Sequence, residues 1–475
     1  MPEVTAPSQT LRRCAVVSVI ALVMVAAVLA SGYRHRGFGG ELREAERYLT
    51  QSSDLDRYFA YANATLGRPY QRFYVRPADQ WRQTFTAGAP RWPLEPIVTP
   101  ARALVPYRDF LVEYPPGFFI VAIPPALFVA SVRDYALVFG AVMVALMLLA
   151  AFICTRIAML AGVDLPGYVL LAWIVTASVC LGTLVTQRYD ATVALLLCAM
   201  CWASLARRPA ILGLAAGGAV VLKIVPALAA VVCAIFLFNE GRRADLRRAL
   251  LWATVTIAVI CAPALYAGPM GLLDMARYHL DRPLEIGSTA AGVLGLWHAV
   301  DPASVAVAFT FGSQNLVGRL VGVALAASNV TGWLGIALVY AAAWRALRSC
   351  PTAAGRARLL LVATAAVIAV FIVTAKVGSP QYLVWLLPLG VLVSLLDRRS
   401  FPLFALLATM LTAQILYAVV ADEVGALRPW ASALVLTRNL LLVAWVWSLA
   451  AGLHAQDASL FPDTTFEREK SRKTT

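Results

Sequence analysis

Charged residues are scarce in this chain. Of its 475 residues, 14% are Asp, Glu, Lys or Arg, and 60% are hydrophobic. This balance excludes an ordinary soluble domain, in which about a quarter of the residues are charged. Lipid is therefore expected to surround most of the chain. Because apolar runs of about the length of a membrane helix recur along the chain, an all-α polytopic membrane protein is predicted.

Histidines and pairable cysteines are also lacking. The chain has four histidines and no H-x-x-H pattern, which argues against a structural metal site but leaves open a divalent metal bound with a substrate. None of the eight cysteines falls in the long polar region 33–134, so no disulfide framework is predicted. Cys198 and Cys201 lie in an apolar run without acidic or histidine neighbours, which favours helix packing over metal binding.

Acidic residues are outnumbered, 26 against 40 Lys and Arg, and the net charge is +14. The basic residues occur in short clusters between apolar runs. This pattern is typical of cytoplasmic loops and of contacts with lipid headgroups. Membrane lipids are therefore expected partners, and nucleic acid is not.

Apolar runs long enough for membrane helices recur along the chain. A bilayer core needs about 20 apolar residues per helix. The run 210–238 is too long for one helix, contains Lys223 and Pro226, and has arginines at both ends, which predicts two short helices joined near Lys223. Twelve spans are then predicted: 14–31, 135–154, 165–186, 191–206, two within 210–238, 249–267, 320–344, 359–375, 382–396, 401–420 and 431–451.

The basic clusters also predict the orientation of the chain in a plasma membrane. With both termini, 1–13 and 453–475, in the cytoplasm, every short basic loop falls on the cytoplasmic side. The regions 33–134 and 268–319 then become large extracytoplasmic loops. The short run 118–132 carries two internal prolines, so it is predicted to be an interfacial or re-entrant helix rather than a span.

Acidic side chains stand close to the predicted membrane surface on the outer side. Asp54 and Asp56 lie in SSDLDRYFAYANATLGRPY, and Glu113 lies in YRDFLVEYPPG. One interpretation is a helix start, with Ser52, Ser53 or Asp54 as the capping residue. Another is a site in which a carboxylate removes a proton from a sugar hydroxyl while cations hold a phosphate leaving group.

Five segments, in order along the chain, carry a resemblance to a known family. They are YFAYA with PYRDFLVEYPPG, QRYDATVALLL, RRPAILGLAAGGAVVLKIVPAL, YHLDRPLEIGS and VGSPQYLVWLLPL. Over about 14–452 the chain resembles the polytopic GT-C glycosyltransferases. More narrowly, it resembles glycosyltransferase family 87, whose best-known members are mannosyltransferases that use polyprenyl-phosphate-mannose.

The resemblance implies a GT-C-like enzyme with a large first extracytoplasmic loop. Such an enzyme moves a hexose, with mannose as the expected sugar, from a polyprenyl-phosphate donor to a lipid-linked or glycan acceptor on the outer face. One departure is the stretch 71–105, which separates two parts of the family pattern that usually run on without a break.

The resemblance also implies the site residues. An acid in the first outer loop is the catalytic base of such enzymes, and its spacing to Tyr58, Phe59 and Tyr61 favours Asp54 over Asp56. The residues expected to bind substrate are Asp56, Glu113, Tyr114, Arg188, Lys223, His279, Arg282, Lys376, Gln381 and Arg438. For Lys223 an interfacial anchor at the hairpin turn stays open, and for Arg438 a side chain that snorkels to the interface.

A second function class is left open by the sequence, namely a polytopic lipid or solute transporter or flippase. Twelve spans suit a transporter. The first outer loop of about 100 residues and the lack of an evident internal repeat argue against one.

Overall fold

The structure is a computed structural model, and the part of the chain that it describes is almost entirely helical. It describes residues 53–71, 75, 102–397 and 399–460. The predicted first span, 14–31, and most of the inserted stretch lie outside these residues. The helices are α1 (Ser53–Leu66), α2 (Phe118–Leu127), α3 (Val132–Leu160), α4 (Gly167–Leu181), α5 (Asp190–Leu205), α6 (Pro209–Lys223), α7 (Ala227–Asn239), α8 (Arg243–Ala267), α9 (Pro269–Asp281), α10 (Thr289–His298), α11 (Val321–Ser349), α12 (Ala353–Thr374), α13 (Leu383–Leu396), α14 (Phe401–Ala418), α15 (Ala421–Gly425) and α16 (Pro429–Leu460).

Seven helices of the described chain are long and apolar enough to cross a bilayer. They are α3, α4 with the 3-10 turn that follows it, α8, α11, α12, α14 and α16. Four further predicted spans form apolar helices of 13 to 16 residues, namely α5, α6, α7 and α13. The chain is therefore a multi-pass membrane protein whose membrane part is all-α, and the total of twelve spans stays a prediction.

The helical bundle has a buried centre and an apolar rim. Nearly every residue of α13 is buried, and α12 is buried over most of its apolar length. In contrast, α8 and α11 leave most of their apolar side chains exposed, including Trp333 and Leu338. Exposed apolar surface of this extent needs a lipid environment. We conclude that α8 and α11 lie at the lipid-facing edge.

The long central apolar run forms two helices, α6 and α7, as predicted. α6 ends at Lys223, where the amide of Val225 bonds to the Lys223 carbonyl and Pro226 has no N–H with which to continue the helix. Arg242, just after α7, donates from Nη1 to the carbonyl of Ser204 at the end of α5, 2.6 Å away. Since α6 begins a few residues after Ser204, its start lies beside the end of α7, and the two helices form a hairpin.

The run 118–132 does not contain a helix long enough to cross the bilayer. α2 has 10 residues, about 15 Å at 1.5 Å per residue. Gly117, just before it, donates to the carbonyl of Val221 near the α6–α7 turn (2.8 Å), and Arg68, just after α1, donates to the carbonyl of Ala126 in its last turn (2.6 Å). Both ends of α2 therefore lie near α1 and the α6–α7 turn, as expected for an interfacial or re-entrant helix.

The region 268–319 contains α9, α10 and a small sheet, which is the one departure from an all-α fold among the described residues. Strands β1 (Ala306–Thr310) and β2 (Ser313–Val317) pair antiparallel around the two-residue turn Phe311 and Gly312. Both turn residues have positive φ, as a tight hairpin of this kind requires. The hydroxyl of Tyr278 on α9 donates to the carbonyl of Phe311 at 2.6 Å, so the hairpin tip is fixed against α9.

Basic side chains gather at one end of the bundle. Besides Arg242, they are Arg356, which pairs with Glu240, Arg358, which donates to the carbonyl of Leu396, and Arg399, which donates to that of Ser448. We call this end the basic face. The helix α5 begins at Asp190 and ends at this face, and its 16 residues span about 24 Å. We call the end at Asp190 and the α6–α7 turn the site face.

Candidate active site

The carboxylate of Asp54 forms an ion pair with Arg188 on the site face. Asp54 lies in the first turn of α1, where the helix dipole favours an acid, and Arg188 lies just before α5. Their side chains are 20% and 10% exposed. Arg188 also donates from Nη2 to the hydroxyl of Tyr417 on α14, 3.5 Å away. Asp56, on the same turn as Asp54, is partly buried.

Glu113 is buried, and both oxygens of its carboxylate accept hydrogen bonds. Arg57 donates from Nη1 to Oε1 at 2.5 Å, and the hydroxyl of Tyr61 donates to Oε2 at 2.6 Å. Nε2 of His279 lies 2.8 Å from the backbone oxygen of Glu113. Glu113 thus joins the YRDFLVEYPPG segment to α1 through its side chain and to α9 through its backbone.

Aromatic rings fill the space between Glu113 and α5. The ring of Tyr114 stacks on Phe118 with centroids 4.5 Å apart, and it meets the rings of Tyr58 and Tyr189 edge-on at 5.6 Å each. Tyr58, Phe118 and Tyr189 are buried. Edge-to-face and stacked pairs at these distances are favourable, so the four rings hold α1, α2 and the start of α5 in one arrangement.

Lys223 forms a buried ion pair with Asp190 at the α6–α7 turn. The two charged groups are 2.7 Å apart, and Nζ lies 4.6 Å from the ring centroid of Tyr189 and 5.3 Å from that of Trp385. The indole N–H of Trp385 donates to the same oxygen of Asp190. The charge of Lys223 is therefore already balanced within the described structure. Its expected contact with a donor phosphate stays a prediction.

The YPPG sequence is fixed on the α6–α7 hairpin by its glycine. The amide of Gly117 donates to the carbonyl of Val221, which the early end of α6 leaves accessible. A Cβ atom on Gly117 would lie 2.7 Å from that oxygen, closer than Cβ atoms are found to approach. A glycine is thus required here for backbone to approach backbone.

Two loops of the site face cross each other at Gly287 and Gly378. A Cβ on Gly287 would lie 2.9 Å from the carbonyl oxygen of Gly378. Arg438 on α16 is buried and donates to the carbonyls of both glycines, at 2.6 Å and 3.2 Å, and from Nε to Asn439 at 3.0 Å. Its guanidinium therefore connects the loops, and it does not reach the surface as a snorkelling side chain would.

Arg282, Glu285, Lys376 and Gln381 lie on these crossing loops or beside them. Arg282 donates from Nη2 to the hydroxyl of Ser313 at the hairpin tip (2.8 Å), and Lys376 donates from Nζ to the carbonyl of Leu280 (2.8 Å). Gln381 lies in a 3-10 turn that leads into α13. Burial and the nearby Arg282 lower the pKa of Lys376. Burial raises the pKa of Glu285, although Arg282 and Arg438 act to lower it.

The structure places all the sequence-predicted site residues on the site face and adds three charged residues that sequence reasoning did not assign. These are Arg57, Asp190 and Glu285. Each lies within, or next to, one of the five segments that carry the family resemblance, and each is a charged residue close to an apolar run. That position was a signal that they belong to the site. The ion-pair partners of Arg57 and Asp190 could not be predicted from the sequence. Glu113 is 56 residues from Arg57, and Lys223 is 33 residues from Asp190.

Metal-binding side chains do not gather in the part of the chain that the structure describes. No three His, Cys, Asp or Glu residues there come close enough together to hold a metal ion.

The comparisons with known proteins agree with the resemblance in the sequence. The model of glycosyltransferase family 87 matches residues 110–374, more than half of the chain. Comparison with curated proteins and comparison with solved structures each give no match. The matched residues include Glu113, Arg188, Lys223 and Arg282, whereas Asp54 lies before them. The chain is a multi-pass membrane protein that belongs to glycosyltransferase family 87.

Proposed function

We propose that this glycosyltransferase moves a hexose, with mannose as the expected sugar, from a polyprenyl-phosphate donor to a lipid-linked or glycan acceptor. Family membership supports sugar transfer as the reaction class, and it disfavours a transporter without transferase activity. The observation that carries the proposal is the position of Asp54, an acid held by Arg188 on a face that also presents Arg282 and Lys376.

The proposed reaction is an inverting transfer. The carboxylate of Asp54 takes the proton of the acceptor hydroxyl, and the acceptor oxygen attacks the anomeric carbon of the donor sugar. The bond between that carbon and the phosphate oxygen breaks, and the polyprenyl phosphate leaves with the electron pair. Arg188, Arg282 and Lys376 stabilise the charge that develops on the phosphate.

The remaining predicted residues support this site in other ways. Glu113 holds Arg57 and orients the segment that carries Tyr114. His279 contacts the backbone of Glu113, and Arg438 fixes the loops that carry Glu285 and Lys376. Asp56 and Gln381 are proposed to contact the substrate. A GT-C-like domain over 14–452 is part of the same proposal.

The charge distribution supports an orientation with the basic face in the cytoplasm of a plasma membrane. The site face then opens to the outer side, and both termini are cytoplasmic. A polyprenyl phosphate suits this location, because its headgroup stays at the membrane surface while its hydrocarbon lies in lipid.

The test is sugar transfer by the purified full-length protein in nanodiscs. Short-chain polyprenyl-phosphate-mannose with a labelled sugar is the donor, and membrane lipid extract supplies acceptors. We expect a labelled glycolipid or glycan that depends on the protein. A parallel reaction with chelator, followed by added Mg²⁺ or Mn²⁺, tests the divalent metal. Movement of the donor across the bilayer of sealed proteoliposomes that contain the protein, without sugar transfer, would instead support a flippase.

A further inference from the structure

Several buried polar atoms on the site face lack hydrogen-bond partners among the described residues, including atoms of Arg188 and Asp190. Two of these atoms, Nε of Arg282 and Oε2 of Glu285, lie on side chains close together in the sequence. The two side chains are three residues apart and close enough for each to influence the charge of the other. In the described structure they nevertheless do not form an ion pair. A buried donor and a buried acceptor without partners are costly to keep.

Hydrogen bonds fix the side chain of Arg282 and the backbone around Glu285. Arg282 is bonded through Nη2 to Ser313. The amide of Glu285 donates to the carbonyl of Lys376 at 2.9 Å, and its neighbours Leu284 and Ile286 bond to β2 as a third strand would. The segment that carries both side chains is therefore fixed by β2 and by the loop after α12.

We infer that these two side chains bind a hydroxyl group of the donor sugar, with Arg282 donating to it from Nε and Glu285 accepting from it through Oε2. The inference rests on the proposed function. A hydroxyl group can donate one hydrogen bond and accept others, so it satisfies both buried atoms at once. Glu285 is then a residue that determines which sugar is used, because a site built to bind a hydroxyl rejects analogues that lack it.

The position of Arg282 and Glu285 favours the donor sugar over the acceptor. Glu285 is bonded through its backbone to Lys376, one of the cations proposed to hold the donor phosphate. The sugar of the donor is attached directly to that phosphate, so it must lie next to the cations. Asp54, which is proposed to meet the acceptor hydroxyl, lies on a different element, α1.

The experiment compares two ligands that differ only in the sugar, polyprenyl-phosphate-mannose and polyprenyl phosphate. Binding of each to full-length protein in nanodiscs is measured for wild type, Glu285→Gln and Arg282→Lys. Glu423→Gln, at an exposed site on α15, is the control. We expect Glu285→Gln to weaken binding of the sugar-bearing donor by about tenfold or more, as for loss of a hydrogen bond to a charged group. Binding of polyprenyl phosphate should change less than about twofold for Glu285→Gln.

Arg282→Lys keeps the charge and removes the Nε donor, so it should show the same selective loss for the sugar-bearing ligand, with a smaller loss for the phosphate alone. A series of monodeoxy donors adds a second measurement. Wild type should reject one deoxy position, and Glu285→Gln should distinguish that donor from the parent less strongly, because a neutral amide oxygen accepts a weaker hydrogen bond than a carboxylate. A selective loss of discrimination at one position is not expected of a variant that is merely misfolded.

Equal weakening of both ligands by Glu285→Gln would show a structural role and overturn the inference. So would unchanged binding of both ligands. Failure of the proposed function is seen separately, because wild type would then transfer no sugar from the polyprenyl-phosphate donor before any variant is compared.

Discussion

The acids of the site differ in what their carboxylates contact. Glu113 has a hydrogen bond on each oxygen, from Arg57 and from Tyr61, and Asp190 balances Lys223. Asp54 is paired with Arg188 at the start of α1 and keeps 20% of its side chain exposed. This partial exposure is consistent with its proposed role as the base that meets the acceptor hydroxyl.

Asp54→Asn keeps the size of the side chain and removes its basicity. We expect the rate of sugar transfer to fall by at least about 100-fold, which is the rate factor that a general base usually contributes. Donor binding should change little. Asp56→Asn is the matched control on the same helical turn and should cost much less. An active Asp54→Asn together with an inactive Asp56→Asn or Glu113→Gln, all equally folded, would show that the base is assigned to the wrong acid.

The Lys223–Asp190 pair predicts a stability effect. Lys223→Met leaves the fully buried Asp190 without its cation, which should cost about 3–5 kcal/mol of folding free energy. The double variant Lys223→Met with Asp190→Leu removes both charges and should recover most of that loss. Thermal unfolding in detergent measures both. If the single variant unfolds like wild type, the pair contributes nothing to stability.

Glu285 predicts a pH dependence. Its pKa is raised in the folded protein above the ordinary value of 4.5, so the unfolded chain releases the proton first. The stability contributed by protonated Glu285 is present below pH 4.5 and is lost as pH rises through the raised pKa. Glu285→Gln should therefore gain in melting temperature relative to wild type as pH rises. A difference that does not vary with pH would contradict the raised pKa.

At the scale of elements, Gly117 is the contact between the YPPG segment and the α6–α7 hairpin. Gly117→Ala would push a methyl group against the carbonyl of Val221 and should destabilise the protein by about 1–3 kcal/mol. Because the segment carries Glu113 and Tyr114, sugar transfer should fall as well. Melting temperature and transfer rate are the two measurements.

Gly218→Ala is the control for that substitution. Gly218 lies inside α6, and a Cβ there would meet only the side chain of Leu196 at an ordinary 3.5 Å. Alanine favours a helix over glycine, so this variant should be neutral or more stable by up to about 1 kcal/mol. Equal losses in both variants would mean that the close approach at Gly117 is not the cause.

Elements could be predicted from the sequence where a local pattern determines them. The apolar length and basic ends of 210–238 predict the α6–α7 hairpin, and the prolines of 118–132 predict a helix that does not cross. The strands β1 and β2 were not predicted, because five-residue strands leave little pattern in a loop. Pairings between distant residues were missed for a related reason. Arg438 and Gly287 are 151 residues apart, and no local pattern relates them.

At the scale of the whole molecule, the proposed orientation can be tested from the two faces of the bundle. If the basic face is cytoplasmic, a cysteine at Val300, which is 74% exposed near the site face, should react with an impermeant thiol reagent in intact cells. A cysteine at Ala354 near the basic face should react only after permeabilisation. Both are made in a background with Cys350→Ser. Labelling of Ala354→Cys in intact cells would invert the orientation.

The crossing of Gly287 and Gly378 has a consequence for how substrates reach the site. The two loops touch backbone to backbone, and Arg438 is bonded to both, so the segments that carry Glu285 and Lys376 are held together. If these segments stay together when a lipid-linked sugar binds, any widening of the site has to come from other elements, such as α1. Such a movement of α1 would break the ion pairs Asp54–Arg188 and Arg57–Glu113, and it would thereby couple substrate entry to the carboxylate that is proposed as the base.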